Sequence, residues 1–311
     1  TTLVNGASNR AIGTLNTTPF NSATAGHVGA DYASTGASLT AAGGVTIGNA
    51  QTASGVVSSA LVTDSNVSLV NAGIVGNAPA NVADNTVMAA DTGNRGDNRF
   101  SATAGAVSYT GAVGVVNGQA NLGGSNTATV AGTDIGTEMD GGPYSGGVNV
   151  SGNTMSAAAQ GNDAAAVDAS GNLLRGNAIS FGQGIDVSGT TGSAHLAMSF
   201  AADVVHGAAD ADLALLNSQG NQDGAITGTV QGSRIGAELD GLLDGSLTAS
   251  ANRVAASAGG NSAINLVSAS GAGFDASVVA GNQQTNDATT IGAVATQITV
   301  GAELALPGAT G

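Results

Sequence analysis

The sequence contains no cysteine, no tryptophan and no lysine, and its strongly basic side chains are six arginines. Without cysteine the chain forms no disulfides and offers no thiolate metal ligands. Without lysine, and with a formal net charge of −15, it lacks the basic surface that nucleic-acid binding requires, and anionic membranes repel it. No apolar run approaches the roughly 18 residues of a membrane-spanning helix.

Aromatic and charged residues are also scarce, at 3% and 9% of 311 residues, whereas 50 residues are glycine. Each glycine inside a helix costs about 1 kcal/mol relative to alanine, so this glycine content predicts little helix. The hydrophobic fraction of 42% argues against disorder, which is typical of low hydrophobicity combined with high charge. The composition therefore predicts a long, thin fold that buries small side chains between closely spaced backbones.

Two segments 100 residues apart carry the clearest internal repeat. Residues 117–141 match residues 217–241 at 13 of 25 positions without a gap. A third copy begins at Asn282 and a weaker one at Asn49, and all four open with the pattern Asn-x-Gln. Self-similarity at fixed spacing is the signature of a repeat architecture.

A second motif, which begins and ends with asparagine, lies between these copies, at residues 85–94, 153–162 and 252–261. Most steps between successive motifs are about 33 residues, and the longer step from 153 to 217 is interpreted as two units. The sequence therefore predicts one domain over residues 1–311. Its repeat units begin near residues 49, 85, 117, 153, 185, 217, 252 and 282.

Apolar and polar residues alternate within the units, as at 113–115 and 213–215, which predicts half-buried strands. A local helix over 201–216 is the weaker interpretation of that segment, because Gly207 interrupts it. Glycine and asparagine tolerate positive φ, so the recurring Gly-Asn dipeptides are predicted to be tight corners. These dipeptides lie at 48–49, 76–77, 93–94, 152–153, 161–162, 171–172, 176–177, 220–221, 260–261 and 281–282.

The predicted fold is all-β, a parallel β-solenoid (β-helix) with about 33 residues per coil and about nine coils. A thinner solenoid with a period of about 17 residues fits the same spacings. An antiparallel sandwich or barrel does not require near-identical motifs at multiples of one length. Asn153 and Asn252 are predicted to stack in a side-chain amide ladder, and Asp163 is predicted to be exposed. Tyr109 and Phe274 fall at equivalent positions, so the few aromatic rings are predicted to stack or to plug one corner.

Acidic residues cluster at Asp134, Glu138 and Asp140, a residue type and spacing that could suit a hard cation such as calcium. The second copy has Arg234 in place of Asp134, and the third keeps only Glu303. Because this ligand set is not maintained between copies, we interpret it as a solvated and partly paired face.

Three histidines, His27, His195 and His206, lie in unrelated contexts, and none has a second histidine at metal-ligand spacing. Paired carboxylates on one face could cleave a polysaccharide, but enzymes of that kind bind sugars with aromatic side chains, which are scarce here. The sequence predicts no catalytic residue, no cofactor and no metal ligand.

Two short motifs have weak specificity. Arg95-Gly96-Asp97 is the tripeptide of integrin ligands, but three-residue matches arise often by chance. The sequons that begin at residues 16, 66 and 149 are expected by chance in a chain rich in Asn, Ser and Thr.

The Asn-x-apolar motif at 153–162 and 252–261 resembles the Ala/Gly/Asn-rich repeat proteins of alphaproteobacterial surfaces, among them holdfast-anchor adhesins. The similarity covers residues 49–304 and is one of composition and repeat style. Curli-type amyloid subunits and phage tail fibres are similar in part, but the former have a shorter unit and the latter more aromatic residues. The resemblance implies an exported surface protein that is structural or adhesive and that polymerises.

The function predicted from the sequence is a non-enzymatic extracellular subunit that self-assembles into a surface fibre or adhesive matrix. Its predicted partners are further copies of itself, by end-to-end or strand-exchange contacts, and a surface polysaccharide. The strand pattern continues through residues 295–306 without a capping element, which exposes a strand edge. The chain is expected to be secreted, with a signal peptide already removed. The alternatives are a carbohydrate-active β-helix lyase or hydrolase, and a monomeric adhesin or phage-fibre-like binding module.

Overall fold

The computed structural model describes residues 2–17, 22–24, 28–34, 37–43, 45–71, 79–102, 107–139, 146–183, 185–188, 194–200, 205–239, 246–271, 273–287 and 289–304. These residues form strands, turns and short connections, and none of them forms a helix. The predicted all-β class is therefore confirmed for the part of the chain described.

The described strands are numbered in chain order. The first fifteen are β1 (Thr2–Thr17), β2 (Ser22–Thr24), β3 (Val28–Ser34), β4 (Ala37–Gly43), β5 (Val45–Ser54), β6 (Val57–Thr63), β7 (Asn66–Asn71), β8 (Ala80–Ala83), β9 (Thr86–Ala102), β10 (Val107–Thr110), β11 (Val113–Leu122), β12 (Ser125–Ala131), β13 (Asp134–Met139), β14 (Val148–Ser151) and β15 (Thr154–Ala164). The others are β16 (Ala166–Val167), β17 (Leu173–Arg175), β18 (Asn177–Phe181), β19 (Ile185–Ser188), β20 (Ala194–Phe200), β21 (Val205–Ala211), β22 (Leu213–Gln222), β23 (Ala225–Leu239), β24 (Leu247–Ser250), β25 (Arg253–Ala263), β26 (Asn265–Ala269), β27 (Phe274–Asp275), β28 (Val278–Asp287) and β29 (Thr290–Leu304).

Most strands stack in parallel sheets, and the chain passes through these sheets repeatedly in the same order. The sheet β5-β11-β22-β28, here called the amide sheet, is followed on each pass by β6, β12, β23 or β29 in the next sheet. A short sheet of β8, β14 and β24 leads into a sheet that contains β9, β15 and β25. The strands β2, β10, β19 and β27 form a further parallel sheet. The predicted parallel pairing is confirmed.

The spacing between stacked strands corrects the predicted 33-residue coil. In the amide sheet, Asn117 pairs with Asn49, which is 68 residues earlier, and with Asn217, which is 100 residues later. The smallest separation between parallel partners in the described residues is 65, as between Asn217 and Asn282. No described parallel pair lies 33 or 17 residues apart, and the stacks are three or four strands deep instead of the predicted nine. The two motif types belong to different sheets, and counting them as one stack halved the predicted spacing.

Two inserted hairpins account for the long step from 153 to 217. One hairpin, β16 and β17, lies between β15 and β18, which both pair with β9. The other, β20 and β21, joins β3 and β4 in an antiparallel sheet. The unit predicted near residue 185 coincides with the start of β19, which pairs with β10 and β27 and not with either motif stack. The described part of the segment with a possible helix, residues 205–216, forms β21 and β22 with a bend at Asp212 between them.

The tight corners lie between strands or, at Gly232 and Gln297, within the long strands β23 and β29, at positions that differ from most of the predicted ones. One column of corners has positive φ on every pass, at Asp64, Gly132, Gly232 and Gln297, with φ between 49° and 58°. Two further columns hold Gly55, Gly123 and Asp223, and Asp84, Gly152 and Ala251. Of the described Gly-Asn dipeptides, only those at 152–153 and 171–172 have a glycine with positive φ. Most of the others lie inside strands.

Small glycines inside strands allow close approach between neighbouring elements. A Cβ at Gly161 would lie 2.3 Å from Oδ1 of Asn221 and 2.8 Å from the carbonyl oxygen of Gly260. Gly161 therefore makes room for the asparagine that faces it, which corrects its predicted role as a corner.

The core has three apolar clusters with few rings. The largest packs Val, Ile, Ala and Met between the sheets that contain β9, β12 and β14. A second lies between the amide sheet and the antiparallel hairpins, where Val116 and Ala120 meet Leu196 and Met198.

The third cluster contains the described aromatic contacts. The rings of Phe100, Tyr109 and Phe181 lie 5.1–6.0 Å apart between centroids, in tilted arrangements. Tyr109 and Phe274 do occupy one column, but Val187 lies between them. The predicted equivalence is confirmed, and three of the rings do cluster as predicted, but Phe274 is not among them and is 48% exposed.

Candidate assembly surface

Asparagines at the fifth position of each strand form a continuous amide column along the amide sheet. Asn49 Nδ2 donates to Asn117 Oδ1 at 2.8 Å, and Asn117 Nδ2 donates to Asn217 Oδ1 at 2.7 Å. Asn217 Nδ2 then donates to Asn282 Oδ1 at 2.7 Å. Asn117 and Asn217 are completely buried, so each amide exchanges its water partners for its neighbours in the stack.

A second asparagine column, Asn98–Asn177–Asn265, faces this one across the interior. Asn98 Nδ2 donates to Asn177 Oδ1, and Asn177 Nδ2 donates to Asn265 Oδ1, both at 2.9 Å. The second column also donates to the first at each level, at 3.1–3.2 Å. The two columns therefore form a cross-linked polar network in the interior, and cooperative networks of this kind fix the packing of the elements that carry them.

Glutamines two residues further along each strand form a third column. Gln51, Gln119, Gln219 and Gln284 are joined by side-chain hydrogen bonds of 2.9, 2.6 and 2.7 Å. Side chains at i and i+2 point to the same face of a strand, so the Asn-x-Gln pattern places both columns on one face. The sequence repeat contains this Asn-x-Gln pattern, but no role was predicted for its glutamine. The i, i+2 spacing of the two amides is the signal from which the glutamine column could have been predicted.

The predicted ladder through Asn153 and Asn252 is confirmed and extends to Asn85. Asn153 is completely buried, and its Oδ1 accepts from both the backbone N–H and the Nδ2 of Asn85 at 3.0 Å. Its Nδ2 donates to the carbonyl oxygen of Val82 at 3.0 Å and to Asn252 Oδ1 at 3.1 Å. This side chain thus satisfies groups in the levels on both sides of it.

The last level of the stack is open on its outer side. Strands β25 to β29 each have a parallel partner on one side only within the described chain. Ile291 and Val300 are 39% and 49% exposed, whereas Ile226 and Ile235, which occupy the same columns one level earlier, are completely buried. The same edge exposes Leu266, Phe274, Val278 and Val279. We call this level, β25 to β29, the open layer.

The acidic residues occupy a charged face of a neighbouring sheet. Arg234 stacks over Asp134 and pairs with it at 3.0 Å, and it also pairs with Glu238 at 2.6 Å. These carboxylates raise the pKa of the Arg234 guanidinium, chiefly through the hydrogen bonds to Asp134. Glu138, Glu238 and Glu303 lie in register. The described residues contain no group of three side chains that could hold a metal ion, and Asp140 lies outside them.

The other predicted candidates are dispersed. His195 Nδ1 lies 3.5 Å from Asp210, His206 Nε2 lies 2.9 Å from the amide of Gln283, and His27 is outside the described residues. Arg95, Gly96 and Asp97 lie inside β9, with Gly96 buried and Asp97 8% exposed. An integrin-type motif needs an accessible loop, so this arrangement does not support that role. Of the sequons, Asn66 is exposed, Asn149 is half-buried, and the Asn16 side chain is not described.

Asp163 is buried and not exposed as predicted. It is 8% exposed, forms an ion pair with Arg175, and accepts a hydrogen bond from Ser262 at 3.0 Å. The hairpin of β16 and β17 supplies Arg175, and nothing in the local sequence indicates that pairing. A shallow cleft of about 360 Å³ beside it is lined mainly by Ala, Ser and Gly together with Asp163 and Asp91.

Asp91 is a buried acid that the sequence analysis missed. Its carboxyl is 1% exposed and accepts a hydrogen bond from the Ser58 hydroxyl at 2.6 Å, while its Oδ2 has no hydrogen-bond partner. Burial raises the pKa of Asp91 above its ordinary value of 3.8, and hydrogen bonds from Ser58 and Asn126 oppose that rise. Later levels have alanine in this column, at Ala159 and Ala258.

Comparison with family models, with curated proteins and with solved structures found no match to this chain. No helix in the described residues is long and apolar enough to cross a membrane.

Proposed function

We propose that this chain is an extracellular, non-enzymatic structural subunit that stacks end to end into a surface fibre or adhesive matrix. We further propose that its parallel sheets wind as one β-solenoid, with 65–68 residues per coil where no hairpin is inserted. Four stacked levels at about 4.8 Å each give a subunit rise of roughly 19 Å along such a fibre.

The open layer is the observation that carries the proposal. On its outer side no strand of this layer has a sheet partner within the described residues, and such strand edges template the addition of another strand. Its inward-facing side chains are residues of the core type that remain 39–49% exposed at Ile291, Val300 and Phe274. A further level of the same kind would bury both the edge and these side chains.

The surrounding surface offers little opposition to this contact. Natural sheets blunt their edges with lysine, proline or covering helices, and this chain has no lysine and four prolines. An identical subunit added by a heterologous contact builds an open filament when the rotation does not close a ring.

The test is negative-stain electron microscopy with sedimentation of the purified chain. We expect filaments in the images, and fibre diffraction from aligned filaments should show an axial spacing near 4.8 Å between strands and a subunit repeat of roughly 19 Å. Ile291→Lys places a charge in the open layer and should abolish filaments. Val167→Lys, at a position 51% exposed in the inserted hairpin of β16 and β17 and outside both end levels of the stack, should leave them intact.

Two results would contradict the proposal. A protein that stays monomeric at high concentration would rule out assembly, and equal loss of filaments in both lysine variants would show that the open layer is not the contact. Immunogold labelling of intact source cells tests the location, since an extracellular fibre must be labelled without permeabilisation.

A further inference from the structure

The two outermost strands of the amide sheet match each other in sequence. Strand β5 reads VTIGNAQTAS and strand β28 reads VVAGNQQTND, with five of ten positions identical in the shared register. Both strands pair through β11 and β22 in that one register, so Asn49 and Asn282 lie in one column, as do Gln51 and Gln284. The β5 strand of an added copy would therefore meet in β28 the same Asn-x-Gln pattern that it already meets in β11.

The amide columns end with complementary groups. At the β28 edge, Asn282 Oδ1 accepts from Asn217, but its Nδ2 has no partner in the described chain. At the β5 edge, Asn49 Nδ2 donates to Asn117, but its Oδ1 has no described partner. One edge thus offers an amide donor and the other an amide acceptor at the same column.

The glutamine column has the same property with the opposite polarity. Gln284 Nε2 donates to Gln219, and Gln51 Oε1 accepts from Gln119. Within the described residues, the Oε1 of Gln284 and the Nε2 of Gln51 have no hydrogen-bond partner. Both columns can therefore continue from one copy into the next.

We propose that β28 of one copy pairs in parallel with β5 of the next copy, with Asn282 opposite Asn49 and Gln284 opposite Gln51. This inference rests on the proposed function and specifies the contact and its register. A shift of one residue would place both amide columns on the wrong face of the sheet, and a shift of two would place asparagine against glutamine. The buried amides thus select one register, as a buried polar residue does in a coiled coil.

The cysteine-free chain allows a direct test by disulfide trapping. In the proposed register Gln283 lies opposite Ala50 of the next copy, with Cα atoms about 4.8 Å apart, which is within the range that a disulfide spans. The double variant Gln283→Cys with Ala50→Cys should give a ladder of covalent multimers under mild oxidation. Within one copy these positions are three strand spacings apart, roughly 14 Å, so they cannot pair internally.

The matched control is Gln283→Cys with Thr52→Cys, which is out of register by two residues. Its Cα atoms would lie roughly 8 Å apart across the contact, beyond disulfide reach, so it should form filaments but few covalent multimers. A ladder in the control that equals that of the first pair would overturn the register. Filaments of the first pair that fail to cross-link would also overturn it, whereas absence of filaments in the unsubstituted protein would overturn self-assembly itself.

A second measurement is independent of cysteine chemistry. Asn282→Asp removes the free amide donor and should raise the critical concentration for assembly on the order of tenfold, the equivalent of one interface hydrogen bond. Gln231→Glu, at an exposed position on β23, which has sheet partners on both sides, adds the same charge and should leave the critical concentration within about twofold. Equal increases in both variants would indicate that charge alone opposes assembly and would contradict the amide contact.

Discussion

Replacing Asn153 by leucine removes a completely buried side chain that makes four hydrogen bonds. Leucine has a similar size but neither a donor nor an acceptor. The Val82 carbonyl and the Asn252 amide oxygen each lose a donor, and the backbone N–H and side-chain amide of Asn85 lose their acceptor. The variant therefore leaves polar groups unpaired on both neighbouring levels.

The expected cost follows from this inventory. A net hydrogen bond contributes about 1 kcal/mol to stability, and a buried group left unpaired costs about 1–3 kcal/mol. Burial of the leucine side chain recovers part of the loss, at about 25 cal/mol per Å² of apolar area. We expect the free energy of unfolding to fall by about 2–4 kcal/mol, a large share of the stability of a typical domain.

The assay is urea denaturation followed by circular dichroism, at a dilution where sedimentation shows monomers. The midpoint should fall with little change in the m-value, which is the sign of lost stability without a change in exposed surface. The control is Asn66→Leu, because Asn66 is exposed at the start of β7, and it should change stability by less than about 0.5 kcal/mol. Equal losses at the two positions, or a loss below about 1 kcal/mol at Asn153, would refute the role of the column.

Three further predictions concern charge, close packing and secondary structure. The folded state raises the pKa of Asp91, so the ionised carboxylate destabilises the fold. This destabilisation is absent below pH 3.8, where the carboxyl is protonated in both the folded and the unfolded state. It grows as the pH rises from 3.8 through the raised pKa of the folded state. Asp91→Asn should therefore unfold at higher urea than the parent at pH 7 and lose this advantage near pH 3, and a pH-independent difference would contradict the burial argument. Gly161→Ala should lower the melting temperature because the added Cβ would lie 2.3 Å from Asn221 Oδ1. Gly292→Ala should be nearly neutral, because no atom lies within 4 Å of the Cβ position there. A similar decrease in both variants would contradict the close approach at Gly161. The far-UV spectrum should be strand-rich, and a helix content above about one third would contradict the fold.

Several features of this protein follow from its sequence alone. Scarce aromatic and charged residues with abundant glycine indicate an all-β fold of small side chains, because few large rings are available to build an ordinary core. The motif copies at Asn49, Asn117, Asn217 and Asn282 identify residues that share a column, since strands that stack in register repeat the same side-chain environment. The ladder of Asn153 and Asn252 was predictable for the same reason.

Other features were decided only by the tertiary structure. Two motifs that alternate along the chain belong to different sheets, so the separation of stacked partners is 65 residues or more instead of 33. The local pattern cannot distinguish these cases, because it records which residues resemble each other and not which of them pair. The burial of Asp163 depends on Arg175 from an inserted hairpin, and the cross-links between Asn98 and Asn117 depend on two sheets that meet across the interior. These contacts join segments whose spacing varies with each insertion, so only the folded arrangement brings them together.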